Sequence, residues 1–175
     1  MQPSAELEQL MMRYQQGDAK AVADLIQRLG PQLHRFFLAQ FVSRRFADDL
    51  LQETWLRIHE ARQTYRPGEP VLPWIYALAR HVRVDHYRRT RRREDRERQL
   101  DALPVTPAVQ PEASRGTDVQ AMLQELPESQ REVLVMLKVS GMSIEEVARA
   151  TSSSVGSVKQ KAHRAYEKLR RLYEA

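Results

Sequence analysis

The segment Ser143 to Leu172, SIEEVARATSSSVGSVKQKAHRAYEKLRRL, constrains the fold more than any other stretch of this chain, because it spells two short helices separated by a break. Ser143 is a capping residue and Glu146 follows three positions later, so the two can form a capping box that satisfies backbone N–H groups left over at a helix start. Ile144, Val147 and Ala148 give that first helix one apolar side. The run Ser152 to Ser154 ends it, and Ser154 is placed to cap the next helix with its hydroxyl.

In the second helix Val155, Val158, Ala162, Ala165, Leu169 and Leu172 recur at spacings of three and four, which puts them on one stripe. The opposite face carries Ser157, Gln160, Arg164 and Arg171, with Lys159, Lys161, His163 and Lys168 toward its rims. Arginine and glutamine suit bidentate contacts to guanine and adenine edges, and lysine suits phosphate. A basic amphipathic helix alone can be a solvated face. Coupled through a four-residue break to a capped preceding helix, it has the layout of a helix-turn-helix that reads the major groove.

Charge is distributed in blocks. The chain has 175 residues and a formal net charge of +5, yet Arg80 to Arg93 alone holds seven arginines against Asp85. Lys159 to Arg171 adds six basic residues against Glu167, whereas Glu94 to Gln130 holds eight acids against three arginines. Two basic surfaces flanking an acidic connector fit a protein that touches nucleic acid in two places. With no cysteine the chain forms no disulfide and offers no thiolate metal ligand, which makes a reducing cytoplasm its expected location. The start, MQPSAELEQL, lacks the pattern of a secretory signal, and no apolar run is long enough to cross a bilayer.

Apolar spacing of three and four recurs along the chain and no alternating β-branched run occurs, so the expected fold is all-α. Helices are expected near Ala5 to Gln15, Ala19 to Phe41, Ala47 to Arg62, Pro73 to Arg98, Asp118 to Gln124, Glu128 to Val139, Ile144 to Ala150 and Val155 to Tyr173. Pro104, Pro107 and Pro111, with Ser114, Gly116 and Thr117, interrupt periodicity between them. The expected organisation is a helical domain over residues 1–98, a flexible acidic linker over 99–117 and a smaller helical domain over 118–175.

At this level the residues carry a resemblance. FADDLLQETWLRIHEARQTYRPGEPVLPWIYALARHVRVDHYRRTRRR resembles region 2 of bacterial sigma factors, and LPESQREVLVMLKVSGMSIEEVARATSSSVGSVKQKAHRAYEKL resembles their region 4. In this order, with a short connector between them, they are similar to the compact extracytoplasmic-function (group IV) class. The resemblance implies a region 2 bundle and a region 4 helix-turn-helix, binding to core RNA polymerase through its β′ and β subunits, promoter recognition, help in DNA opening, and a cognate anti-sigma partner. It implies no catalytic residue, metal or cofactor.

The resemblance also distributes roles. Asp49, Gln52, Glu53 and Arg57 would meet the polymerase clamp helices, while Leu51, Trp55 and Ile58 would be core. Tyr65, Arg80, His81, Arg83, Arg88 and Arg89 would face the minus-ten element, Tyr65 by stacking on an extruded base and the arginines on phosphates; Trp74, Ile75 and Leu78 are expected to be core. Ser157, Lys159, Gln160, Lys161, His163 and Arg164 would read the minus-thirty-five element. The acidic linker is either a disordered tether or a segment threaded toward the RNA channel.

Three departures from the family pattern stand out: Thr151, Ser152 and Ser153 replace an apolar–glycine–apolar turn, His81 stands where asparagine is common, and Lys161 where arginine is frequent. Two rival readings fit the residues less well. A metal-dependent nuclease built on Asp48, Asp49, Glu53 and His59 lacks any HxxxH or HExxH spacing. A helix-turn-helix regulator acting without polymerase core would lack the DLLQETWLR block and the arginine-rich helix after it.

Overall fold

A computed structural model describes residues 3–40, 44–100 and 118–173. All regular structure among them is helical: α1 (Pro3–Gln15), α2 (Ala19–Gln40), α3 (Arg44–Ala61), a single 3-10 turn (Arg62–Thr64), α4 (Val71–Leu100), α5 (Asp118–Gln124), α6 (Glu128–Lys138), α7 (Ile144–Ala150) and α8 (Val155–Tyr173). The expected connector from Asp101 to Thr117 lies outside the described residues, as does Phe41.

The first four helices pack around α2. Its apolar positions Ala21, Leu25, Leu29 and Leu33 advance by four residues, Phe36 and Phe37 follow three and four beyond Leu33, and all are fully or nearly fully buried. Phe36 lies edge-on to Phe37 at 5.4 Å and to Tyr76 of α4 at 5.3 Å, the arrangement favoured by ring quadrupoles. Truncating one such ring costs about 3–5 kcal/mol. In α3 the buried stripe is Ala47, Leu50, Thr54 and Ile58. Leu51 and Trp55, expected in the core, are half-buried at its edge. Thr54 fits the interior because its hydroxyl donates to the Leu50 carbonyl at 2.7 Å. Ile75 is core as expected, with Trp74 and Leu78 half-buried against it.

A ladder of charges fixes α3 against α4. Arg57 donates to Asp85 at 2.8 Å and stands 3.5 Å from Glu53, which in turn accepts from Arg89 at 2.7 Å. Exposed pairs of this kind contribute less than about 1 kcal/mol each, so the ladder sets register rather than stability.

The helices after the connector do not stand apart from those before it. Helices α5 and α6 pack on α2, and α7 packs on α4. Tyr76 is fully buried, its hydroxyl donates to Ser140 Oγ at 2.6 Å, and burial pushes its phenol up to about 12, so it remains a donor at any ordinary pH. Arg80 donates through Nε to Glu132 Oε1 at 2.8 Å and through a guanidinium nitrogen to the Ala150 carbonyl at 3.1 Å. Arg83 donates to the same Glu132 oxygen at 3.0 Å and is also paired with Glu128. At the periphery Arg149 meets Glu69 at 2.9 Å.

Glu132 is 4 % exposed and Arg83 7 %, so each depends on the other to offset its desolvation. Glu132→Ala leaves two guanidiniums in the seam without their shared acceptor. The helix groups can separate and rehydrate those charges, so the expected outcome is opening rather than unfolding. Small-angle scattering should show a radius of gyration rising from the ~16 Å of a compact chain of this length, with helicity retained. An unchanged radius would show that the ion triad does not hold the seam.

Candidate nucleic-acid and polymerase interfaces

The helix-turn-helix is built by its caps. Ser143 Oγ accepts from Glu146 N–H at 3.1 Å while the Ser143 N–H donates to Glu146 Oε2 at 2.8 Å, closing the expected capping box. Ser154 Oγ accepts from Ser157 N–H at 3.1 Å and starts α8. Between the helices Ser152 adopts φ 49°, the left-handed region, at the middle of the turn where the family pattern has glycine. Its neighbours tie the turn: Thr151 Oγ1 donates to the Val147 carbonyl at 2.7 Å and lies 2.6 Å from Ser153 Oγ. Hydroxyls thus replace the apolar contacts and hold the same reversal.

Helix α8 buries Val158, Ala162 and Ala165, with Val155 and Leu169 half-buried and Leu172 exposed. The small residues Ala148 and Ala150 of α7 and Ala162 and Ala165 of α8 are buried, and the two helices pack on each other. The outward face carries Lys159, Gln160, His163 and Arg164, all exposed, whereas Ser157 and Lys161 are half-buried. Arg164 makes no ion pair with a described carboxylate and borders a cleft of about 440 Å³ with Gln130, Lys168 and Arg171. Lys168 and Arg171 give this face a continuous positive strip suited to a phosphate backbone.

The residues expected at the minus-ten element divide. Arg88 and His81 are exposed on α4, and Arg89 is exposed but bonded to Glu53. Arg80 and Arg83 point instead into the seam against Glu132, and in this arrangement neither reaches a DNA backbone. Tyr65 is 2 % exposed, sits edge-on to Trp74 at 5.7 Å and donates its hydroxyl to the Glu69 carbonyl; burial pushes its phenol up to about 12. Its ring is packed in the core and not presented for stacking.

On α3, Asp49 and Gln52 are exposed, but Glu53 and Arg57 are engaged with α4. Leu56, which the sequence reading passed over, lies on the same face and is 57 % exposed. A leucine one turn beyond Gln52 on a polar face is the signal that identifies a contact surface of mixed character. The residues weighed for a metal site do not converge: Asp48 bonds His34 at 2.8 Å and His59 bonds the Tyr14 hydroxyl at 2.7 Å. No group of such side chains among the described residues is arranged to hold a metal ion.

With this geometry in place, the chain can be compared with known proteins. Residues 25–93 match the family model described as Sigma-70 region 2, and residues 117–169 match Sigma-70, region 4. The RNA polymerase sigma factor CarQ of Myxococcus xanthus is 33 % identical over 168 residues, covering 93 % of this chain and 94 % of CarQ. The ECF sigma factor SigD of Mycobacterium tuberculosis is 32 % identical over 166 residues, covering 88 % of this chain and 77 % of SigD.

The chain belongs to the ECF sigma factors. As a member of that family it directs RNA polymerase to promoters and is not an enzyme. The fold agrees: a solved structure of CnrH, in complex with the cytosolic domain of CnrY, superposes with a TM-score of 0.75 at 23 % identity, covering 97 % of each chain. RpoE of Bartonella quintana, solved in complex with the anti-sigma factor NepR, gives a TM-score of 0.68 at 22 % identity, covering 90 % of this chain and 99 % of RpoE.

The left-handed Ser152 provides a direct check on the turn. An L-residue there is strained by about 1–2 kcal/mol, against a glycine entropy cost of about 0.5–1. Ser152→Gly should therefore stabilise the protein by up to about 1 kcal/mol, read as a thermal midpoint a few degrees higher. A lower midpoint would mean that the serine side chain contributes to the turn.

Proposed function

We propose that this sigma factor divides its work among three surfaces: α3 for the polymerase core, the distal part of α4 for the minus-ten element, and α8 for the minus-thirty-five element. Residues 1–98 and 118–175 serve as separate modules during initiation, with 99–117 as the connector. The observation that carries this reading is the outward strip of α8, where Gln160 and Arg164 lie between lysines on a helix whose start is fixed by two serine caps.

The core-binding surface is the face of Asp49, Gln52 and Leu56, with Glu53 and Arg57 behind it holding α3 on α4. Leu56→Lys with Gln52→Ala should weaken association with polymerase core at least tenfold, measured by co-elution or fluorescence titration, while helicity is unchanged. Exposed positions of this type contribute little to folding. Unchanged core affinity would remove this face from the proposal.

Arg80 and Arg83 belong to the DNA-facing set only when the seam between α4 and α6 is open. Promoter binding then exchanges Glu132 for phosphate. Both solved relatives are bound to a partner protein, NepR being an anti-sigma factor, and the compact form of this chain supports an analogous cytoplasmic partner that holds it closed.

In α8, Arg164 is the base reader and Lys159 a phosphate contact. Arg164→Ala should reduce discrimination among minus-thirty-five variants by about 1–3 kcal/mol. Lys159→Ala should weaken all promoters by a similar factor and lower the salt dependence of binding. Quantitative binding of polymerase holoenzyme to a set of promoter variants separates the two. A uniform loss from Arg164→Ala would show that it grips phosphate.

A further inference from the structure

A cleft of about 720 Å³ opens beside the seam, where the last turn of α2, the middle of α4 and the start of α6 meet. Its size is within the range of small-molecule sites. Gln40 lines it and is 8 % exposed, yet neither its amide oxygen nor its amide nitrogen has a hydrogen-bond partner among the described residues. The Nε of Arg83, which is 7 % exposed, is unpartnered in the same wall. Buried polar atoms are nearly always paired with protein, water or a ligand, so two such groups lining one cleft leave bonds there that a ligand can supply.

The charge of the cleft is one-sided. Arg88, Arg91, Arg92 and Arg131 line it without an ion pair to a described carboxylate, while Glu128, the one acid among its described lining residues, is already taken by Arg83. Arg131 is held in place by the carbonyls of Leu123 and Leu126 at 2.8 and 3.0 Å; desolvation lowers its pKa, Glu128 opposes that shift and the neighbouring Arg83 adds to it. The guanidinium of Arg91 stacks on the Tyr87 ring at 5.0 Å from its centroid, giving the rim a flat, cationic platform.

We propose that this cleft binds a nucleoside polyphosphate. The arginines of α4 and α6 take the phosphates, the stems and Val84 cover the base, and the Gln40 amide meets a base edge with its paired donor and acceptor. Inorganic phosphate would answer the charge and leave Gln40 unpaired; an uncharged base would do the reverse. Because Arg131 comes from α6 and the other arginines from α4, the ligand bridges the seam and favours the closed chain over promoter DNA.

The test is direct binding to the full chain alone, in magnesium-free buffer at about 0.15 M salt, so it depends on neither polymerase nor promoter. ATP and GTP are titrated against tripolyphosphate and a single-stranded tetranucleotide by calorimetry. At least one nucleotide should saturate in the micromolar range, at least tenfold tighter than tripolyphosphate or the tetranucleotide. Gln40→Leu should weaken that nucleotide about tenfold while changing tripolyphosphate less than twofold, and Arg88→Ala with Arg92→Ala should weaken both.

Gln40→Glu, which keeps the side chain's size and adds a negative charge, should abolish binding. Circular dichroism confirms that each variant folds. No saturation below 1 mM, tripolyphosphate or the tetranucleotide binding as tightly as either nucleotide, or Gln40→Leu without effect would each overturn the proposal.

Discussion

The buried triad of Glu132 with Arg80 and Arg83 is the constraint on which the arrangement of this molecule depends. A carboxylate that is 4 % exposed has its desolvation offset by the two guanidiniums that converge on it. Those guanidiniums are one turn apart on α4, in the helix whose basic character otherwise points to DNA. The same side chains can close the protein on itself or serve nucleic acid, and they cannot do both at once. Tyr76 and Ser140 place an uncharged bond beside the triad, so the seam is specified by geometry as well as by charge.

Much of this structure is written in local patterns. The helices followed from apolar spacing, and both caps of the helix-turn-helix were legible because a capping box is a contact between residues three apart. What the sequence concealed is what depends on long-range packing. The α3 stripe runs through Thr54 because its hydroxyl is satisfied within the helix, a possibility that hydrophobic counting passes over. The resemblance implied Tyr65 as a base-stacking residue; its ring is instead enclosed against Trp74. The seam was missed for the same reason, since a proline-rich acidic connector carries no information about the surfaces it joins. One signal was present: Glu132 lies three and four residues before Val135 and Met136, which puts it on the same buried side of α6. A carboxylate within a buried stripe requires a cation from elsewhere, and the arginine-rich α4 was the nearest supply.

The site residues sort along the same line. In α8 the outward face was predictable because the apolar stripe fixes its opposite, so Gln160, His163 and Arg164 are exposed where the period puts them. In α3 and α4 the period gives two polar flanks, and it does not say which flank meets solvent. Glu53, Arg57 and Arg89 proved to hold the helices together, while Leu56, an apolar residue on the outward flank, marks the free face.

The seam sets a scale for promoter affinity. If closing it is favourable by about 3 kcal/mol, a moderate value for a small interface with one buried ion cluster, only about one molecule in a hundred is open at equilibrium. Apparent DNA affinity then falls by the same hundredfold, with no change in any base contact. A partner that binds only the open form recovers that factor; one that bridges α4 and α6 deepens it. If Arg80 and Arg83 bind phosphate as proposed, control by population follows, because their internal carboxylate lies across the same seam, and the strength of the triad then sets how far the free chain stays off promoters.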